Sequence, residues 1–277
     1  MRTSPIAGSW YPGDRQELTH LIEQLLKKAD LPRIQGSPFG IISPHAGIQF
    51  SGQAAAYGFK ALQGTGYKRV ILLGPSHYMP YHGIATSGVR AYETPLGKIR
   101  VDRDVSDALS KHPLFQGPRD AEMPEHSLEM ELPFLQAVLD EFAIVPLVVG
   151  NLSLKDYDEA AAALKKHIDD QTVVVVSSDF THYGTRFGYL PFRDDVKNNL
   201  AKLDGEAINK ITAKDFTGFM AYVEETGATI CGVRAIGVFL KMLPPASQGS
   251  LLHYYTSGDI IGDYSDAVSY ASIMFTR

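Results

Sequence analysis

The chain has 277 residues, 44% of them hydrophobic, with 26 basic residues against 31 acidic and a formal net charge of −5. That apolar share excludes a disordered or fibrous protein, and the lack of any basic run or arginine-rich stripe speaks against a nucleic-acid surface. No apolar stretch approaches the length of a membrane span, so a membrane partner is not expected either.

The first residues, MRTSPIAGSWYPGD, lack the apolar core that a signal peptide needs. Asp14, with Glu17 three residues on, has the pattern of a capping box, and an amphipathic helix follows through ELTHLIEQLLKKA. Apolar, β-branched runs then alternate with helical patterns. The strand-like runs are FGII (39–42), RVILL (69–73), FAIVPLVV (142–149) and TVVVVS (172–177). Helical patterns cover 51–62, 126–141 and 154–167. This alternation predicts an α/β fold, a mostly parallel central sheet flanked by helices in three α/β/α layers. Pro146 predicts that the third run is bulged or at a sheet edge. Residues 83–101 read as a small antiparallel insertion. Helices are expected near 193–203, 213–225 and 232–242, and two further strands in LLHYYTS and AVSYASIMF. No linker, repeat or low-complexity tract divides the chain, so residues 1–277 read as one domain.

Three strands end alike. FGIIS leads into Pro44-His45-Ala46-Gly47, RVILLG into Pro75-Ser76-His77-Tyr78, and TVVVVSS into Asp179-Phe180-Thr181-His182. In parallel sheets the loops after the strands share one edge, where ligands bind. A lone histidine after a strand is more often a loop-stabilising partner than a ligand, and the glycines nearby also suit turns. Three coincidences at equivalent places point instead to a shared site. His20, His112 and His167 lack that context and read as surface or structural residues.

Cys231, the only cysteine, excludes an intrachain disulfide and suits a soluble protein of a reducing compartment, most simply the cytoplasm. It precedes an amphipathic helix, whose N-terminus lowers a thiol's pKa; the plainer alternative is a small core residue. With His45 and His77 it could complete a His₂Cys site of the kind that suits copper, zinc or iron. In EHSLEMELPFL, His126 and Glu129 are three apart on a predicted helix. They would share a face, as a metal-binding or proton-transfer pair.

With AGSWYPGD, SPHAG, LGPSHY, EHSLEMELPFL, VVSSDFTHYG and TICGVRAIGV in this order, the sequence resembles the Memo family, whose prokaryotic members occur in the so-called AmmeMemoRadiSam system. The resemblance implies the fold of the catalytic subunit of class III extradiol dioxygenases. It implies metal ligation by His45, His77 and Cys231, with iron or copper as the ion and zinc as a further possibility. It places His182 beside the metal as an acid/base residue, with Asp179 accompanying it and His126 lining the cleft. Trp10 matches an aromatic of the family's N-terminal motif, while Tyr78 and His82 neighbour the ligand loop without being ligands. Two departures matter: Cys231 stands where the dioxygenases have a glutamate, and Phe50 stands where animal members have a tyrosine.

Three functions are expected to compete. The first is a redox-active metal protein acting on a small molecule, in which His182, oriented or charge-stabilised by Asp179, moves protons. The second is a metal-free thiol hydrolase or transferase using Cys231, His182 and Asp179. The third is a non-catalytic module binding a peptide or protein in the same cleft, other AmmeMemoRadiSam proteins among the candidate partners.

Overall fold

A computed structural model describes Met1–Arg277. Asp14 accepts hydrogen bonds from the amides of Gln16 and Glu17 and starts α1 (Arg15–Lys28), which buries Leu18, Ile22 and Leu26. The fully buried β1 (Pro38–Ser43) runs straight into α2 (Ile48–Lys60), and β2 (Arg69–Pro75) follows. The expected insertion is present as β3 (Ile84–Thr86) and a hairpin of β4 (Ala91–Thr94) and β5 (Gly97–Val101). Next come α3 (Arg103–Leu109), α4 (Ser127–Val138) and β6 (Ala143–Val149). Ser153 and Asp156 form a capping box at the head of α5 (Leu154–Lys165), which leads to β7 (Thr172–Ser177) and the short β8 (His182–Gly184). Three helices, α6 (Val196–Thr212), α7 (Phe216–Thr226) and α8 (Val233–Met242), precede β9 (Gln248–Thr256). The chain ends on α9 (Ser257–Ile261) and β10 (Asp266–Thr276).

The sheet runs β4-β5-β6-β2-β7-β1-β10-β8, with β3 on β6 and β9 on β10. Its centre, β6-β2-β7-β1, is parallel, whereas β10 is antiparallel to β1, β8 and β9. Central strands covered on both faces should be apolar throughout, and they are. In β7, Val173 and Val175 face the layer that holds α1, α2 and α4, while Val174 and Val176 face the layer of α5, α7 and α8. The architecture is the expected α/β fold, a large, mostly parallel mixed sheet between helical layers. No helix is long and apolar enough to cross a membrane.

Pro146 corrects the reading of the third run. It lies fully buried in β6 opposite Leu72 of β2, neither at an edge nor at a register shift. On its other side β6 changes partners there: the last residue of β5, Val101, lies opposite Ile144, and the last residue of the antiparallel β3, Thr86, lies opposite Leu147. A residue without an amide hydrogen fits the gap between two partners.

The strand order also sets the site. The chain passes from β1 to β2 by stepping over the position that β7 later fills. The loops after β1, β2 and β7 therefore open side by side at one sheet edge, the switch-point location at which open α/β sheets bind ligands.

Candidate metal centre

The loop after β1 is tied across to the loop after β7. Asp179 Oδ1 accepts from the amides of His45 (2.8 Å) and Ala46 (3.2 Å), and the Ser178 amide donates to the Ser43 carbonyl. Two glycines let the surrounding helices close in. A Cβ on Gly74 would fall 2.6 Å from Ser127 Oγ, and one on Gly232 would fall 2.4 Å from Ser178 Cβ. The bare backbone at Gly232 thus lets the start of α8 approach β7, bringing Cys231 Sγ within 3.1 Å of the Asp179 amide, which donates to it.

His45, His77 and His126 meet. Their ring nitrogens lie within 4.8 Å of one another. The His77 and His126 rings stack at 4.4 Å between centroids, and His45 stands edge-on to both. Cys231 Sγ lies 3.2 Å from His45 Nε2. His182 and Asp179 line the same cavity of ≈ 500 Å³, together with Trp10, Phe50, Phe187 and Tyr270. Trp10 packs on His126 at 4.4 Å between ring centroids.

Each imidazole is held through Nδ1. His77 Nδ1 is 2.8 Å from Glu125 Oε1, and Glu125 Oε2 accepts from the His77 amide at 2.8 Å. His45 Nδ1 is 2.7 Å from Ser177 Oγ, and His126 Nδ1 is 3.1 Å from the Tyr78 hydroxyl. His182 Nδ1 faces the carbonyl oxygens of Phe180 (3.0 Å) and Thr229 (3.1 Å). Carbonyls only accept, so His182 carries its proton on Nδ1 and keeps Nε2 as the basic nitrogen.

Desolvation dominates the charge balance. Burial, then the neighbouring His77, holds His45 well below its usual pKa. Burial and the charges of His45 and His77 lower His126 to about 3. For Glu125, burial works upward, but hydrogen bonds from His77 and the Ser127 amide outweigh it and hold the carboxyl at about 2. Burial raises Asp179 despite the nearby histidines.

Three expectations change. The helix N-terminus does not lower the Cys231 thiol: burial and the Asp179 carboxylate push it well above its usual value. Asp179 does not hydrogen-bond His182, because its Oδ1 is taken by backbone amides and His182 is held by carbonyls. The Cys231-His182-Asp179 relay therefore lacks its hydrogen bonds, and the base nearest the thiol is His45. Finally, His126 and Glu129 do not pair. His126 stands at the position just before α4, makes no capping hydrogen bond with its side chain and turns to the cleft, whereas Glu129 points to the N-terminal segment. There it binds Arg2 at 2.5 Å, the Tyr11 hydroxyl at 2.7 Å and the Ser4 hydroxyl.

Glu125, Ser177 and Glu131 were not singled out by sequence reasoning. Glu125 sits directly before His126, and that adjacency is the signal that could have found it. Asp204 also escaped notice. Buried in α6, it takes the amide and hydroxyl of Thr181 and the Tyr254 hydroxyl, and so braces the loop that carries His182. His82 is exposed and faces Asp156 at 3.5 Å, and His112 caps a short 3₁₀ turn.

Fold and site together define an α/β protein with a cleft at the strand ends, lined by four histidines, with one thiol buried against His45. A family model described as Memo-like protein matches residues 2–274. The chain is 36% identical over 291 residues to a MEMO1 family protein of Methanopyrus kandleri, covering 100% of this chain and 99% of that one. It is 32% identical over 286 residues to the Protein MEMO1 of Danio rerio, covering 98% and 96% of the two chains. The chain belongs to the Memo family.

Proposed function

We propose that the cleft is a metal centre in which His45, His77 and Cys231 hold one iron or copper ion, zinc being the third candidate. In this reading the centre is redox-active toward a small molecule bound against Trp10, Phe50 and Phe187. One observation carries it: every cleft imidazole is tied through Nδ1, which leaves Nε2 as the nitrogen available for coordination or proton transfer.

The residues suit such an ion. Imidazole and thiolate are ligands for copper, zinc and iron, and a carboxylate behind a ligating histidine, as Glu125 stands behind His77, orients the ring and raises its basicity. Deprotonating the Cys231 thiol on metal binding releases a proton, so affinity rises with pH. Iron or copper in this place would supply one-electron exchange and Lewis acidity.

The remaining roles belong to the chain. His182 Nε2 accepts or delivers a proton on the substrate side of the cleft. Asp179 fixes the His45 loop through two amides, and its charge stabilises a protonated His182. His126 stacks between Trp10 and His77 and closes the cleft beside the ligands as a further imidazole for proton transfer. Elemental analysis of protein purified without a chelating tag tests the reading. Wild type should carry close to one equivalent of metal, and Cys231→Ala and His77→Ala far less; equal content in all three would remove the assignment.

A further inference from the structure

Behind His45, on the side away from the cleft, lies a buried polar chain that none of the roles above uses. Ser177 Oγ has three neighbours: His45 Nδ1 at 2.7 Å, the Ser127 carbonyl oxygen at 2.7 Å and Glu131 Oε1 at 2.6 Å. Ser177 and Glu131 are both 0% exposed. Glu131 Oε2 has no hydrogen-bond partner, and neither has Ser43 Oγ, a hydroxyl close enough to act on the same carboxyl.

Counting hydrogens decides the arrangement. A serine hydroxyl has one hydrogen and two lone pairs. The Ser127 carbonyl can only accept, so at 2.7 Å it takes the Ser177 hydrogen. Both remaining neighbours must then donate: His45 through Nδ1–H, and Glu131 through a carboxylic O–H. If the hydrogen pointed instead at an Nδ1 lone pair, the Ser127 carbonyl oxygen would face the Ser177 oxygen with no hydrogen between them even with Glu131 protonated, and an ionised Glu131 would add a second such contact, a costly state in a buried site. The other Glu131 oxygen can accept from the Ser43 hydroxyl in either charge state, so the position of the Glu131 proton is decided at Ser177.

We propose that Glu131, acting through Ser177, is the positioning residue that fixes His45 in its Nδ1–H form and so turns the Nε2 lone pair toward Cys231 and the cleft. Its consequence for ligation rests on the metal reading above; the tautomer itself does not. Burial independently favours the neutral carboxyl, raising Glu131 well above the usual carboxylate range.

The test is nitrogen-15 NMR of histidine-labelled, metal-free protein, followed by a competition titration with zinc(II). Wild type should show His45 as the Nδ1–H form alone. Glu131→Gln, whose amide donates to Ser177 and whose carbonyl accepts from Ser43, should keep that form and near-wild-type zinc affinity. Ser177→Ala and Glu131→Leu should give mixed tautomers and bind zinc roughly 10–100-fold more weakly, the usual penalty for losing a ligand's orienting partner. An Nε2–H form in wild type, or an unchanged tautomer in both Ser177→Ala and Glu131→Leu, would overturn the proposal. Should Glu131→Leu not fold, the contrast of Ser177→Ala with Glu131→Gln still decides. A fixed tautomer in a wild type that binds neither zinc(II) nor, in the same titration, iron(II) or copper would support the positioning role while removing the metal reading.

Discussion

Glu125 grips His77 at two points, its two oxygens each 2.8 Å from a nitrogen, one in the backbone and one in the ring. The same carboxyl accepts from the Ser127 amide at 2.9 Å, so it also caps the helix that follows. One side chain thereby locks the loop after β2 to the head of α4. Glu125→Ala should weaken metal binding by about 10–100-fold and lower stability by roughly 1–3 kcal/mol through the lost cap and the unpaired His77 groups. A chelator-competition titration and thermal unfolding would measure both. An effect on stability with no effect on affinity would show that the grip serves the fold alone.

Arg2 is 1% exposed and holds the segment before α4 from behind, through the carbonyls of Glu122 and Glu125 and the carboxylate of Glu129. Arg2→Ala leaves a buried carboxylate without its counter-charge, a loss of roughly 3–5 kcal/mol. Melting should fall by about 10 °C at this chain length. Arg2→Ala melting within a degree or two of wild type would show that the N-terminal anchor is dispensable.

The glycines give a paired test of close packing. Gly232→Ala forces α8 away from Ser178 and should cost roughly 1–3 kcal/mol, with weaker metal binding because Cys231 moves with the helix. Gly205→Ala, inside α6 where an added Cβ meets nothing within 4 Å, should stabilise by about 0.5–1 kcal/mol. Denaturant unfolding of both variants checks the signs; a neutral Gly232→Ala would mean that the helix start can shift freely.

Acid should destabilise the metal-free protein through its cleft histidines. His126 falls from 6.5 to about 3 on folding, so below about pH 6.5 the unfolded chain binds a proton that the folded one refuses. Its contribution is therefore complete above pH 6.5 and lost as the pH falls toward 3. Glu131 and Asp179, both raised by burial, act in the opposite direction. The difference between wild type and His126→Asn isolates the histidine. That difference should narrow steadily between pH 6.5 and 3, and a constant difference would contradict it.

Much of this was legible because the central strands are buried on both faces. Their continuous apolar runs stand out, and the loops that follow them carry His45, His77, Asp179 and His182. The layered sheet and the meeting of the strand-end histidines follow from that pattern. The rest depends on contacts between distant segments, which spacing does not encode. Glu129 answers to Arg2 across 127 positions, and Glu131 reaches His45 only through Ser177, so neither pairing shows in the local pattern. The sign of the Cys231 shift depends on how deeply the helix start is buried, and Pro146 on where two neighbouring strands hand over.

The most direct test of the metal centre is a crystal structure of protein grown with iron(II) without oxygen, with anomalous maps recorded on both sides of the iron edge. One peak bonded to His45 Nε2, His77 Nε2 and Cys231 Sγ, at about 2.0–2.3 Å, is the result expected. A cleft with no anomalous peak, or a peak bonded to other residues while Cys231 stays a free thiol, would contradict it.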